Sequence, residues 1–301
     1  MEDWNKAGKI AAEALDYGNG LIKVNASILE VIKKIEEKII KEKGGLAFPV
    51  NVSINNIAAH HTADFNDQDL LKNGDLVKLD VGVNVNGAIG DNALTVDLGD
   101  NKKLLEASKK ALENALKIVG IGIEVRKIGR EIQETIQSYG FSPIQNLSGH
   151  EIERYKLHAG LTVPNYDNGD KTKLSKGMII AIEPFATNGE GKVIEGKLSG
   201  IYRLENKKQS RNLTARKIVE FVDKKYNGLP FSKREIFEKF GNSNFFLRIL
   251  ENEKIFYQYP ELVEKSKGLV SQFEKTVLID EKIKILTWLP RSLILKSEIL
   301  M

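Results

Sequence analysis

The sequence predicts an α/β (α+β) protein made of two structurally similar halves, with a small helical unit inserted between strands. Three observations predict it. A helix pair followed by a strand-rich stretch occurs twice, over 3–98 and again over 101–205. Residues 207–262 break that pattern with helical periodicity and turn signals. Strand character then returns in "GLVSQFEKTVLI", 268–279. The repeat lies in the order of elements, with no sequence identity between the halves.

Residues 3–43 read as two helices. In the second, Ser27 and Glu30 have capping-box spacing, and Ile28, Val31, Ile32, Ile35 and Ile39 fall on one face. Gly44-Gly45 ends it. Short strands follow to about 98. Among them "LVKLDVGVNVNGAIGDNALTVDLG", 76–99, reads as a hairpin turning at Asn86-Gly87. "NKKLLEASKKALENALKIV" and "EVRKIGREIQETIQSYG" read as the second helix pair, about 101–139, and strands including the apolar "GMIIAIEPF" run to about 205. The insertion carries a turn at Asn227-Gly228 and another capping-box spacing in "SKRE". It reads as a winged-helix-like packing unit. Its basic residues are interleaved with acidic ones, not gathered into the stripe that nucleic acid binds. The domain boundaries are 1–206 plus 263–287 for the main domain, 207–262 for the insertion and 288–301 for a tail.

The 301 residues are 42% hydrophobic and 29% charged, the composition of a soluble globular chain. The formal net charge is +4, from 45 Lys+Arg and 41 Asp+Glu. That balance permits contact with an RNA-rich particle without arguing for it, and no specific DNA binding is expected. The absence of cysteine excludes disulfides, thiolate zinc sites and cysteine nucleophiles. Any metal must be held by His, Asp and Glu. "MEDWNKAGK" lacks the basic-then-apolar pattern of a secretory signal. No apolar run approaches the ~20 residues that span a bilayer. A cytoplasmic location is expected.

All four histidines fall in two short stretches, "AAHHT" at 58–62 and "SGHEIERYKLHAG" at 148–160. Two clusters point to a shared task. Asp80 and Asp91 lie on either side of the hairpin turn, so folding brings their carboxylates near each other. Asp is depleted in strands and like charges repel, so either solvent or a cation must compensate. Glu183 ends an apolar strand just before Pro184, and Glu274 lies inside the strand-like "VSQFEKTVL". Two Asp, two Glu and a His beside Gly149 form an oxygen-rich set. It suits one or two divalent ions of intermediate hardness: manganese, iron(II), cobalt or zinc. There is no H-E-x-x-H helix and no Gly-rich phosphate loop.

In order and spacing, "AFPVNVSINNIAAHHT", "KLDVGVNVNGAIGDNALTV", "NLSGHEIERYKLHAGLTVP", "AIEPF" and "QFEKT" resemble the motifs of the type II methionine aminopeptidases, in a short form like that of archaea. The resemblance covers about 3–280. The segment 207–262 agrees with the helical insertion that separates type II from type I enzymes. The resemblance implies a pita-bread fold of two pseudo-symmetric halves holding two divalent ions (cobalt, manganese, iron or zinc). It implies that Asp80 binds one ion, that Asp91 and Glu274 bridge both, and that His150 and Glu183 bind the other. Glu183 would also pass a proton from an activated water to the leaving amine. His158 and His60 would orient the scissile amide and stabilise the oxyanion. Phe48 and Tyr259 match positions that line the methionine pocket. Ile201 joins them in place of a histidine found in eukaryotic relatives.

His61, often Tyr in relatives, reads as a solvent-facing histidine without a role. Lys275 stands where many relatives have His, and strand alternation directs it away from the ligands. The implied activity is removal of the initiator methionine from peptides and nascent chains with a small second residue. It carries a transient ribosome contact and no membrane partner. Two rivals share the resemblance. Proline-directed peptidases have the fold and ligands, but "AAHHT", the insertion and the short N-terminal region count against them. RNA-binding relatives have lost ligands, whereas here every ligand type is present. The tail "ILTWLPRSLILKSEILM" runs past the usual family end.

Overall fold

The computed structural model describes residues 1–288. Helices α1 (Glu2–Leu21) and α2 (Ile28–Lys41) open the chain. The Ser27 side chain accepts from the Glu30 amide, and Ile28, Val31, Ile32, Ile35 and Ile39 are all buried. The residue that reverses the chain after α2 is Lys43, at φ 62°, one position before the glycine pair. The Gly44 amide then bonds back to Ile39 O.

Strands β1 (Gly45–Leu46), β2 (Asn51–Ile54), β3 (Ile57–Ala59), β4 (Leu76–Val85) and β5 (Ala88–Asp97) follow. The β4–β5 hairpin turns at Asn86 and Gly87, whose φ values of 49° and 87° are those of a two-residue type I′ turn. The other edge of β4 takes β1 and β2. Helix α1 packs across β4 and β5. Leu15, Ile32, Ile35, Val52, Leu79 and Val81 lie in the core between them.

The second half repeats the plan. Helices α3 (Lys102–Ile118) and α4 (Val125–Ser138) precede β6 (Ser142–Pro143), β7 (Ser148–His150), β8 (Thr162–Pro164), β9 (Ile179–Ile182), β10 (Phe185–Thr187) and β11 (Val193–Leu204). Its own core includes Ala111, Ile128, Ile132, Ile180, Ile182 and Val277. Within 207–262 lie α5 (Leu213–Tyr226), β12 (Phe231–Ser232), α6 (Lys233–Phe240) and α7 (Asn244–Asn252). Its last residues already belong to β13 (Phe256–Glu264), which pairs with β11 from Leu204↔Phe256 to Val193↔Glu264. Buried Arg234 of α6 reaches Glu36 of α2 at 2.5 Å and ties this unit to the first half.

Strands β14 (Val270–Gln272), β15 (Lys275–Leu278) and β16 (Lys284–Ile285) complete the order. Strands β14 and β15 meet β5 along a seam between the halves, and two threonine hydroxyls help join them. Thr276 Oγ1 donates to Asp91 O and accepts from Asp91 N (2.7 and 2.8 Å). Thr95 Oγ1 does the same with Gln272 O and N (2.7 and 2.8 Å). Glu274 N donates to Ala93 O between them, at 3.0 Å. Buried Lys78 donates across the seam to Val270 O (2.9 Å) and, within its own half, to Asn55 O (3.0 Å). Thr287 Oγ1 accepts from Thr276 N at 3.0 Å, so the chain through 287 belongs to this core. Apart from exposed Trp288, the tail assigned to 288–301 lies outside the described residues. Among the described residues, no helix is long and apolar enough to cross a membrane.

Candidate metal centre

The hairpin brings Asp80 and Asp91 to one face, though not directly opposite each other. The turn fixes the register so that Asp80 pairs with Ala93 and Asp91 with Gly82. Residues two apart on a strand share a face, so the two carboxylates are diagonal neighbours. Both glutamates occupy breaks between strands. Glu183-Pro184 separates β9 from β10, and Phe273-Glu274 separates β14 from β15. The breaks oppose each other, because Ile182 pairs with Lys275 and Phe185 with Gln272. Glu274 therefore lies between strands, not inside one as expected. Pro184 has no N–H to continue a ladder, which suits it to the break. Gln272 Nε2 donates to Glu274 Oε2 at 3.2 Å and fixes that carboxylate.

His150 ends β7, where Gly149 lets the strand press against β9. A Cβ at Gly149 would sit 2.2 Å from Ala181 O. This close approach puts His150 Nε2 3.5 Å from Glu183 Oε1 and 3.7 Å from Asp91 Oδ2. Ligand atoms of Asp91, His150 and Glu274 all lie within 4.8 Å of one another.

This much negative charge is costly without a counter-ion. Burial pushes the Asp80 carboxyl up to about 7. Burial, then the neighbouring carboxylates, raise Asp91, Glu183 and Glu274 well above the usual range. Asp80 Oδ1, Asp91 Oδ1, His150 Nδ1 and Glu274 Oε1 are buried without a hydrogen-bond partner. Of the compensations left open by the sequence, solvent is therefore a poor fit and a cation a good one. The donors, mostly carboxylate with one imidazole and no thiolate, suit divalent ions of intermediate hardness. Lys275 does not line the cavity around this group, and burial lowers its ammonium to about 8.

That cavity holds about 340 Å³. All ten residues singled out from the sequence line it: Phe48, His60, Asp80, Asp91, His150, His158, Glu183, Ile201, Tyr259 and Glu274. The Phe48 ring lies where a Cβ at Gly82 would be, 2.2 Å away, so a small residue there makes room for the pocket wall. Pro230, Leu157 and Leu262 line the cavity too and carry no sequence signal that singles them out.

His150 and His158 meet edge to face, with ring centroids 4.4 Å apart. Burial first, then His60 and Arg203, lowers His158 to about 4. It is neutral near pH 7. His60 is also lowered by burial, and its ring meets Tyr259 edge to face at 5.5 Å. His60 Nδ1 lies 3.2 Å from Pro260 O. A carbonyl can only accept, so Nδ1 carries the proton and Nε2 keeps a lone pair. In this tautomer His60 can accept an amide hydrogen but cannot donate to an oxyanion. Of the two histidines, only His158 could then donate to an oxygen in the cavity.

His61 is not solvent-facing. It is 6% exposed, and its Nδ1 lies 2.6 Å from Glu261 Oε1, itself buried. The expectation failed because the partner is 200 residues away, where no local pattern reveals it.

The comparisons agree with this geometry. The chain matches the model of Metallopeptidase family M24 over residues 2–281. It is 44% identical over 281 residues to a methionine aminopeptidase of Thermococcus onnurineus, covering 92% of this chain and 95% of that one. The crystal structure of a methionine aminopeptidase from Thermotoga maritima superposes with a TM-score of 0.69 at 26% identity, over 95% of each chain. A thermophilic Arx1 structure, at 17% identity, shares the fold with a TM-score of 0.85, over 96% of this chain and 90% of that one. A mixed α/β chain of two repeated halves, with carboxylates and imidazole gathered at their seam, belongs to metallopeptidase family M24.

Proposed function

We propose that this protein removes the initiator methionine from peptides and nascent chains, favouring a small second residue. The observation that carries the reading is the convergence of four carboxylates and His150 at the seam, in a cavity walled by Phe48, Ile201 and Tyr259. The 44% identity to a methionine aminopeptidase supports it. Asp80, Asp91, His150, Glu183 and Glu274 would hold two divalent ions. When bound, the ions supply Lewis acidity toward water and the scissile carbonyl.

The protein's own residues do the rest. Phe48, Ile201 and Tyr259 receive the methionine side chain, whose flexible thioether packs well against aromatic edges. The acidic group attracts the free amine of the substrate, so cleavage is confined to the chain end. Neutral His60 accepts the amide hydrogen of the substrate through Nε2. Neutral His158 donates to the carbonyl oxygen as negative charge develops there. Glu183 accepts a proton from the attacking water and returns it to the leaving amine. Nascent chains place the work in the cytoplasm. They fit a transient ribosome contact, which the mild +4 charge permits.

Hydrolysis of Met-Ala, Met-Gly, Leu-Ala and Xaa-Pro peptides across a manganese, cobalt, iron(II) and zinc series tests this reading. Release of methionine from the first two is expected. Cleavage restricted to proline-containing peptides would replace it with a prolidase-like activity, and no cleavage at all would sink it.

A further inference from the structure

We propose that the buried His61–Glu261 pair is a positioning device that holds His60 against Tyr259 in the substrate cavity. The inference rests on the methionine-removal reading for its kinetic consequence, but its structural content stands apart from it.

The backbone cannot do this positioning alone. Strand β3 pairs with β13 at Ala59↔Leu262, and the pairing shifts register between Leu262 and Val263. The chain leaves β3 immediately before His60. On the facing strand Pro260 has no N–H, and the β11–β13 ladder is irregular on both sides of Leu198↔Pro260. His60 itself sits at φ 65°, a left-handed conformation uncommon for a residue with a side chain. Such strain persists only where the surroundings over-determine it.

Side chains supply what the ladder does not. Two consecutive imidazoles bond two consecutive residues opposite. His60 Nδ1 takes Pro260 O at 3.2 Å, and His61 Nδ1 takes Glu261 Oε1 at 2.6 Å. The second bond is short and buried, and Lys197 Nζ stands 3.5 Å from the same carboxylate oxygen. The His61 backbone is pinned as well: its N–H donates to Ser53 Oγ (3.3 Å) and its carbonyl accepts from Val52 N (2.8 Å). Residue 61 is therefore anchored on three sides, and the strained residue before it inherits the anchor. The same pair fixes the strand beside Tyr259, which meets His60 edge to face.

The test compares His61→Gln, which keeps a donor toward Glu261, with His61→Phe, which keeps a ring and drops the donor. The double variant His61→Phe/Glu261→Met leaves no buried carboxylate unpaired and guards against simple misfolding. On a Met-Ala peptide, His61→Phe and the double variant should lose about 10–100-fold in kcat while binding as much metal as wild type. His61→Gln should recover most of that loss. Native kcat in the folded, metal-loaded double variant overturns the proposal, as does a His61→Gln as impaired as His61→Phe. With only four histidines, the ring N–H spectrum gives a readout independent of activity. The bonded His60 Nδ1–H should be sharp and exchange-protected in wild type and His61→Gln, and lost or fast-exchanging in the double variant. An unchanged His60 signal in the double variant overturns the proposal even if wild type releases no methionine, an outcome that would itself overturn only the functional reading.

Discussion

Asp80 and Asp91 lie diagonally across the β4–β5 hairpin, each opposite a residue with little or no side chain, Ala93 and Gly82. The space beside Gly82 is taken by the Phe48 ring, and Glu183, Glu274 and His150 converge with the two aspartates on the same cavity. This arrangement is unstable as a set of bare charges. Asp80 is raised from 3.8 to about 7 by burial. The folded metal-free chain thus holds protons that the unfolded chain releases, and it loses stability as pH rises from about 4 toward 7.

The substitution Asp80→Asn should therefore change sign with metal. In chelator-stripped protein at pH 7.5 it should raise Tm by about 3 °C or more, and by much less at pH 4. In metal-loaded protein at pH 7.5 it should lower Tm, because a ligand is lost. Thermal melts of the two forms check it. A fall in Tm for the stripped protein at pH 7.5 would contradict the electrostatic account.

The two T-stacked histidines should separate by function. His150→Ala should lose at least one metal. His158→Ala should keep both and lose about 10²–10³-fold in kcat, the typical effect of removing one oxyanion donor. Metal analysis beside steady-state kinetics decides it. If His158→Ala sheds metal as readily as His150→Ala, then His158 is a ligand.

Gly149 should be intolerant of any side chain. A Cβ there would meet Ala181 O at 2.2 Å, and that oxygen is backbone in the middle of β9. Gly149→Ala should cost about 1–3 kcal/mol or more and weaken metal binding by shifting His150. Denaturant unfolding and metal titration measure the two effects. A native metal affinity would mean that β7 relaxes without moving its histidine.

Much of this was legible in the sequence, for reasons that can be named. Asn86-Gly87 has one favoured turn, so the hairpin carrying the aspartates follows from local chemistry. Ser27, Glu30 and the isoleucines of α2 announce a helix by spacing alone. The pocket walls Phe48, Ile201 and Tyr259 follow only from the motif resemblance, since no composition or period distinguishes them from ordinary core. What stayed hidden depends on partners distant in sequence. The matched breaks that bring Glu183 and Glu274 to the cavity exist only once β9 pairs with β15 and β10 with β14. The burial of His61 depends on Glu261, and the tautomer of His60 on Pro260.

Glu183→Gln should separate metal binding from chemistry. The amide can remain a weak ligand but cannot shuttle a proton, so kcat should fall about 10²–10⁴-fold while metal is largely retained. A metal-loaded variant with native kcat would mean that another group moves the proton.

The central claim is that the seam residues hold divalent metal used to cleave a free methionyl N-terminus. Its most direct test is a titration of chelator-stripped protein with manganese or cobalt, following methionine release from a Met-Ala peptide and from the same peptide N-acetylated. The account predicts no release without metal, activity that saturates by two equivalents, and no cleavage of the acetylated peptide. Undiminished release by the stripped protein, or equal cleavage of the acetylated peptide, would contradict it.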